Sequence, residues 1–335
     1  MKENSFVMDQ WMEKNLVCPR DHQRLRREGN TLVCSEGHSY PIVDGIPVML
    51  LNDVVPTQEY TTISLEQASS SSQETETEDA QEKSTSDESD GIDPHVQEVI
   101  GATGGILYTS LVGNLTRYPI PELRLPPGNN KVFLDIGCNW GRWCVAAARR
   151  GYQPIGIDPN LDAIKAARKV SRQLGVSPRF VVADGRYLPF ASGSFDVVFS
   201  YSVLQHFSKD DAKLSVAEAG RVLEKGGFCF IQMPNILGIR CLFHQAKRGF
   251  REPRDFEVRY WSLRELKHSF SERIGPTSLS IDGFFGLGIQ KSDLDILPPK
   301  YKLIVAASEL LRKMSRRARG MISFADSVYV KSTRS

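Results

Sequence analysis

The chain has 335 residues, of which 41% are apolar and 24% are charged, and its formal net charge is +2. This length corresponds to about two domains, and the composition allows a large buried core, which excludes fibrous and wholly disordered proteins. The small net charge hides an uneven distribution. Residues 59–93 hold eleven acidic side chains and one basic side chain, which leaves 41 basic and 29 acidic residues, or +12, elsewhere. Anionic partners therefore stay possible.

No targeting or membrane-spanning segment is predicted. The first ten residues are polar, and Ile46–Leu51, one of the longest apolar runs, ends after six residues. A secretory signal and a membrane span both need longer runs. Six cysteines in a chain of this length do not form a disulfide framework. These features predict a cytoplasmic, soluble protein.

The first predicted domain, residues 11–55, contains the patterns Cys-x-x-Asp-His at 18–22 and Cys-x-x-x-His at 34–38, followed by a strand-like run at 40–50. It resembles the small zinc-ribbon-like module found beside, or fused to, many bacterial methyltransferases, with an aspartate in place of one cysteine. Thiolate and imidazole groups suit tetrahedral zinc. The predicted ligands of a structural zinc ion are Cys18, Cys34 and His38, with either Asp21 or His22 as the fourth. The alternative is a ribbon that folds without metal.

The next segment, residues 57–93, is poor in apolar residues and rich in Ser, Thr, Glu and Asp. Such a composition buries too little apolar surface to offset the entropy of ordering the chain. We therefore predict a disordered acidic linker.

Residues 95–335 alternate short apolar runs with helical patterns, which is typical of a parallel α/β sheet. Seven strands are predicted, at 131–136, 153–157, 179–183, 194–200, 227–233, 279–284 and 323–330. The predicted helices cover 142–150, 161–174, 210–223, 262–270 and 301–319. This order of elements predicts a Rossmann-like sheet of seven strands.

The most informative motif is the turn after the first of these strands, Asp135-Ile-Gly-Cys-Asn-Trp-Gly-Arg142. Glycines let the backbone approach a ligand closely, and a helix N-terminus favours anionic groups. The turn resembles motif I of class I S-adenosylmethionine (SAM)-dependent methyltransferases, with Asn139 in place of the middle glycine. Asparagine tolerates the left-handed backbone conformation better than most residues.

Further matches follow in the family's order. Asp158 ends the second strand, Asp184 follows the third, Phe195–Ser200 resembles motif IV, and residues 221–227 resemble the turn before the fifth strand. The resemblance assigns Asp158 to the ribose hydroxyls and Asp184 to the adenine amine. Arg142 is either a partner of the methionine carboxylate or an exposed arginine. The SAM-binding residues so predicted are Asp135, Gly137, Cys138, Asn139, Gly141, Arg142, Asp158, Ala183, Asp184, Gly185 and Ser200.

The segment after motif IV, Ser200-Tyr-Ser-Val-Leu-Gln-His-Phe207, lacks the Asn-Pro-Pro-Tyr pattern of many nitrogen-methylating enzymes. It resembles ubiquinone and menaquinone biosynthesis methyltransferases and their small-molecule relatives. His206 is predicted as the general base, because imidazole titrates near neutral pH. The alternative is a histidine that packs beside the cofactor. Tyr201 and Gln205 are predicted to face the methionine moiety or the acceptor.

Two basic segments have open roles. The basic side chains between 240 and 259 either clamp an anionic acceptor or form a solvated loop. The helix at 301–319 is basic toward its end, which either matches the helix dipole or provides contact with an anionic membrane surface.

Three functions follow from these patterns. The first is SAM-dependent methylation of a small-molecule acceptor such as a lipid, quinone or other secondary metabolite. The second is methylation of rRNA or tRNA, with the N-terminal module contacting RNA. The third is a non-catalytic SAM-binding partner of another subunit.

Overall fold

The structure, a computed structural model, describes residues 8–73, 92–103, 113, 115–285, 290–296, 299–315 and 317–335. The chain divides into two compact units. Unit 1 comprises Met1–Tyr118, Cys138–Val145 and Ile155–Ala191, and unit 2 comprises Pro119–Gly137, Ala146–Pro154 and Ser192–Ser335. The predicted boundaries at 11–55, 57–93 and 95–335 do not coincide with these units.

Unit 1 begins with a short helix and a small antiparallel sheet. Helix α1 spans Gln10–Asn15, and its N-cap Asp9 accepts a hydrogen bond from the Met12 amide at 2.9 Å. The sheet contains β1 (Leu25–Glu28), β2 (Thr31–Cys34), β3 (Ser39–Val43) and β4 (Ile46–Pro47), in that order. This part of the fold agrees with the predicted β-rich N-terminal module.

The predicted disordered linker contains a helix. Helix α2 spans Glu59–Gln73, and α3 spans Pro94–Thr103. Thr61, Ser64 and Ala68 are buried, at a spacing that places them on one face of α2. These small side chains allow close packing although the segment has little apolar character, so composition alone was a poor guide to residues 59–73. Residues 74–91 of the predicted linker lie outside the described part of the chain.

The large sheet has seven strands, as predicted. They are β5 (Val132–Ile136), β6 (Gln153–Asp158), β7 (Arg179–Val182), β8 (Phe195–Ser200), β9 (Leu223–Pro234), β10 (Thr277–Gly283) and β11 (Ser327–Thr333). Their order is β10-β11-β9-β8-β5-β6-β7. Pairs β5–β8, β6–β7 and β8–β9 are parallel, whereas β11 pairs antiparallel with β9 and β10. The Rossmann-like sheet is thereby confirmed.

The helices follow the predicted pattern with two differences: a helix at Ile239–Lys247 was not predicted, and the C-terminal helix ends earlier than expected. They are α4 (Arg142–Arg149), α5 (Leu161–Gln173), α6 (Lys209–Val222), α7 (Ile239–Lys247), α8 (Leu263–Arg273) and α9 (Pro299–Met314). Ser262 and Glu265 form a capping box at the N-terminus of α8. Helix α9 ends at Met314 rather than at residue 319, and Arg319–Phe324 forms a 3₁₀ helix before β11.

Within unit 1, the N-terminal module shares a core with the elements around β7. Val48 pairs with Val182, and the Met49 amide donates to the Val182 carbonyl at 2.7 Å, which covers the edge of β7. One buried apolar cluster holds Val43, Ile46, Val48, Leu50, Ala68, Cys138, Cys144, Leu161, Ile164, Ala167, Phe180 and Val182. The module and α2 therefore pack directly on the residues that follow the glycine turn.

Candidate active site

The glycine turn of unit 1 has the backbone geometry that its sequence requires. Asn139 has φ +49° and Gly141 has φ +80°, so both adopt the left-handed conformation that favours asparagine and glycine. The Asn139 side-chain oxygen accepts a hydrogen bond from the Trp140 amide at 2.7 Å. A Cβ atom on Gly141 would lie only 3.0 Å from the Ala167 Cβ atom. The turn is thus held in a tight, defined shape beside buried Cys138.

Asp158, at the end of β6, contacts the same turn. Its Oδ2 atom accepts from the Asn139 amide and its Oδ1 atom accepts from the Asn160 amide, both at 3.0 Å. Burial raises the pKa of Asp158 to about 6, although both amides favour the charged form. A carboxylate has room for further hydrogen bonds. This buried acceptor fits a ligand that donates hydroxyl groups, as the ribose of SAM would.

Asp184, which was predicted to contact the adenine amine, binds a side chain of the protein. Its carboxylate forms a buried ion pair with Arg186, with 2.7 Å between Oδ2 and Nη2. The Arg186 guanidinium also donates to the Val55 carbonyl at 2.8 Å. Ala183 and Gly185, on either side of Asp184, are buried. The structure therefore gives the carboxylate of Asp184 a cationic partner within its own turn.

Arg142 lies at the N-terminus of α4 and is half-buried. Its guanidinium carbon lies 6.0 Å from the ring centre of Trp140 and 5.8 Å from that of Trp143. These distances are within the range of a cation–π contact. Arg142 is therefore packed against two aromatic rings instead of extending into solvent.

In unit 2, three predicted residues lie on or beside the ends of β5 and β8. Asp135 and Ser200 are buried, and the Ser200 hydroxyl donates to the Ile136 carbonyl at 2.9 Å. Gly137 has φ +74°, and a Cβ atom there would lie 2.4 Å from the Val203 Cγ2 atom. Gly137 is thus required for the close approach of these two segments.

Unit 2 also contains a cavity of about 200 Å³. Tyr201 and Gln205 line it, together with Arg124, Asp282 and Glu309. Asp282 accepts from the Tyr201 hydroxyl at 2.9 Å, from Arg124 at 2.9 Å and from the Ser327 hydroxyl at 2.8 Å. The cavity thus has a polar wall built around one buried carboxylate.

Arg124 links this carboxylate to a second one. Its Nη2 atom lies 2.7 Å from Glu309, while Nη1 contacts Asp282. Burial alone would lower the pKa of Arg124, yet the carboxylate of Asp282 raises it above its ordinary value. The guanidinium is therefore charged and held between two acids. Ile304, Val305 and Phe284 add apolar side chains to the lining of the cavity.

His206 packs against neighbouring groups of the protein. Its Nδ1 atom lies 2.7 Å from the Phe256 carbonyl, and because a carbonyl only accepts, Nδ1 carries the proton. Its Nε2 atom lies 3.1 Å from the Gln205 side-chain nitrogen, and its ring stacks on Phe256 with 3.9 Å between centres. Burial lowers the pKa of His206. Both ring nitrogens are engaged, and His206 is not among the described residues that line the cavity. This geometry favours the alternative, packing role over the role of base.

Comparison with known proteins agrees with this arrangement. Residues 134–231 match a family described as a methyltransferase domain. A ubiquinone biosynthesis O-methyltransferase of Mesorhizobium japonicum is 30% identical over 103 residues, 31% of this chain and 41% of that protein. A 2-methyl-6-phytyl-1,4-hydroquinone methyltransferase of Synechocystis is 27% identical over 161 residues, 48% of this chain and 45% of that protein. These matches support a class I SAM-dependent methyltransferase.

The chain spans less than half the length of these two curated methyltransferases. Among solved structures, the YcgJ protein of Bacillus subtilis matches with a TM-score of 0.42 and 21% identity. That match covers 63% of this chain and 94% of the other. The matched methyltransferase domain, residues 134–231, begins in β5 and ends in β9.

The N-terminal module of the chain brings together four of the five predicted metal ligands. The ligand atoms of Cys18, Asp21, Cys34 and His38 lie within 4.8 Å of one another. Distances of 3.0 Å (His38–Asp21), 3.4 Å (His38–Cys34) and 3.6 Å (His38–Cys18) are near the roughly 3.3–3.8 Å edges of a tetrahedral zinc site. His22 is not part of this group. The structure thus selects Asp21 over His22 as the fourth residue of the cluster.

The sequence analysis did not identify the acids and the arginine of the cavity in unit 2. Arg124 contacts Asp282, which lies 158 positions later in the chain, and Glu309, which lies 185 positions later. No local motif therefore connects the three residues. The signal that existed was an acid inside the apolar strand predicted at 279–284. A charge at such a position is rarely buried without a partner.

Proposed function

We propose that this chain transfers a methyl group from SAM to a small-molecule acceptor. The observation that carries the proposal is the buried carboxylate of Asp158, whose described hydrogen bonds come from the amides of Asn139 and Asn160. It lies inside the stretch that matches a methyltransferase domain. Asn139, Gly141 and Asp158 are the residues that would hold the nucleoside part of SAM. The named relatives that act on quinone precursors support a small-molecule acceptor.

The bound cofactor would supply a methyl group on a positively charged sulfur. Displacement at this carbon needs an aligned nucleophile, so the residues around the acceptor chiefly restrict its position. The Tyr201 hydroxyl donates to Asp282, which leaves the phenolic oxygen as a hydrogen-bond acceptor. Tyr201 and Gln205 are therefore proposed to orient a hydroxyl or amine of the acceptor in the cavity of unit 2.

The test is a single-turnover incubation of the full chain with methyl-labelled SAM and cell extract. The extract is then separated into lipid, small-molecule, RNA and protein pools. We expect label in the lipid or small-molecule pool, and less of it with Asp158→Ala. Label in RNA would replace the proposed acceptor class, and no transfer at all, with SAM still bound, would favour the non-catalytic partner.

We further propose that the cluster of Cys18, Asp21, Cys34 and His38 holds one structural zinc ion. Two thiolates, an imidazole and a carboxylate are suitable donors, and their spacing supports four-coordinate binding. Metal analysis of the purified chain should find about one equivalent of zinc. Cys34→Ser should lose it, whereas Cys229→Ser, at a buried cysteine of β9, should retain it.

A further inference from the structure

Helix α7 of unit 2 has two faces with different surroundings. Arg240, Cys241 and His244 line the cavity, while Ile239 and Phe243 are 50% and 63% exposed. Leu242 on the same helix is also exposed. Large apolar side chains grouped on an exposed helix face usually mark a binding surface. The helix thus connects an exposed apolar face with the wall of the cavity.

The exposed face of α7 is firmly held. The buried carboxylate of Asp326 accepts from the amides of Arg240 and Cys241 at 2.6 and 3.0 Å, at the N-terminal end of the helix. A Cβ atom on Gly238 would lie 2.5 Å from the Asp326 Cα atom, so the backbones pack closely there. The Gln245 side chain donates back to the Ile236 carbonyl at 2.9 Å. The apolar face is therefore presented to solvent by a fixed helix.

Exposed apolar side chains also flank the helix in sequence, and the segment carries a net positive charge. Leu237 precedes α7 and Phe250 follows it, and both are exposed. Residues 237–260 hold six basic and three acidic side chains. Arg251 pairs with Glu257, whereas no ion pair is described for Lys247 or Arg254. An apolar face with adjacent cations is complementary to an anionic bilayer surface, where acyl chains lie beside negative headgroups.

Helix α9 repeats the arrangement. Ile304, Val305 and Ser308 line the same cavity, whereas Leu303 is 77% exposed and Leu310 and Met314 are also exposed. In the part of the chain that the structure describes, no helix is long and apolar enough to cross a membrane. Contact with a bilayer through these helices would therefore be at its surface.

We propose that α7 with its flanking residues, Leu237–Arg254, binds the surface of an anionic membrane, and that the acceptor enters the cavity from that membrane. The second part rests on the proposed methyl transfer. The first part does not, because lipid binding needs neither SAM nor turnover. The acceptor class implied is an amphiphile whose polar end reaches the wall formed by Tyr201 and Asp282.

The test is co-sedimentation of the full chain with vesicles of phosphatidylglycerol and phosphatidylcholine, compared with vesicles of phosphatidylcholine alone. We expect binding to the anionic vesicles that weakens with salt and falls at least tenfold in the double variant Ile239→Ser/Phe243→Ser. Leu214→Ser removes an equally apolar side chain that is 48% exposed on α6, and should bind like the unmodified chain. Lys247→Glu/Arg254→Glu should lose most of the preference for anionic vesicles.

Absence of vesicle binding, or equal binding by the α7 variant, would overturn the proposal. So would a dimer in sedimentation analysis that Ile239→Ser/Phe243→Ser converts to monomers, because the face would then belong to a second copy. A circular dichroism melt of each variant shows that it is folded. If the chain binds vesicles but transfers no methyl group, the proposal of membrane binding stands and the proposed methyl transfer fails.

Discussion

Two buried carboxylates, Asp158 in unit 1 and Asp282 in unit 2, show how differently a protein can use the same side chain. Asp158 is held by backbone amides, and burial raises its pKa to about 6. Asp282 is held by a guanidinium and two hydroxyl groups. Removing a buried acid that is paired with a cation leaves that cation without its partner, whereas a buried acid that lies among amides can still accept hydrogen bonds from a ligand.

The largest effect expected from this comparison is on stability. Asp282→Ala removes the acceptor of three hydrogen bonds and leaves the Arg124 guanidinium with the Glu309 carboxylate and the backbone carbonyl of residue 282. Loss of one partner from a buried ion pair costs about 3–5 kcal/mol. We expect a decrease of this size in the free energy of unfolding, measured by denaturant titration. Asp210→Ala, at a carboxylate whose side chain is 91% exposed, is the control and should change stability by less than about 0.5 kcal/mol.

The second effect is the pH dependence of stability that follows from the raised pKa of Asp158. Its pKa is about 6 in the folded chain against an ordinary value of 3.8. Between these values the folded state retains a proton that the unfolded state releases, so the free energy of unfolding falls as pH rises. The total change is about 3 kcal/mol at about 1.4 kcal/mol per pKa unit.

The measurement is a series of unfolding titrations between pH 3.5 and 7 (about the window set by the two pKa values) on the ligand-free chain and on Asp158→Asn. All other titrating groups are shared, so the difference between the two curves isolates Asp158. A difference that does not vary with pH would mean that the Asp158 carboxyl is not perturbed by burial.

The two carboxylates also differ in how well their roles could be predicted from the sequence. Asp158 follows a strand and a glycine turn within about twenty residues, and local pattern was sufficient to single it out. Asp282 acquires its role only in the folded chain, where Tyr201, Ser327 and Arg124 reach it from three distant parts of the sequence. The seven strands were predicted for the same reason as Asp158, since each is a local apolar run. The cavity depends on contacts across more than 150 positions, which periodicity does not encode.

The third effect is on the affinity for SAM, which we assign to Asp158 and not to the cavity of unit 2. Asp158→Ala removes a charged hydrogen-bond acceptor, and such bonds contribute about 1.5–3 kcal/mol. SAM affinity measured by calorimetry should therefore fall about tenfold to a hundredfold. Glu98→Ala removes an exposed acid from α3 of the same unit and should leave the affinity unchanged. Unchanged affinity in Asp158→Ala would contradict the assignment of this residue to the cofactor.

The smallest expected effect concerns α2, which lies in the segment whose composition predicted disorder. The buried Ser64 hydroxyl of α2 accepts from the Leu161 amide at 2.9 Å, at the start of the helix that follows Asp158. Ser64→Ala leaves this amide without its acceptor and should lower the free energy of unfolding by about 1 kcal/mol. Ser70→Ala, on the exposed side of α2, should have no measurable effect. Equal stability of the two variants would mean that the hydrogen bond from the Leu161 amide to Ser64 does not contribute to the stability of the fold.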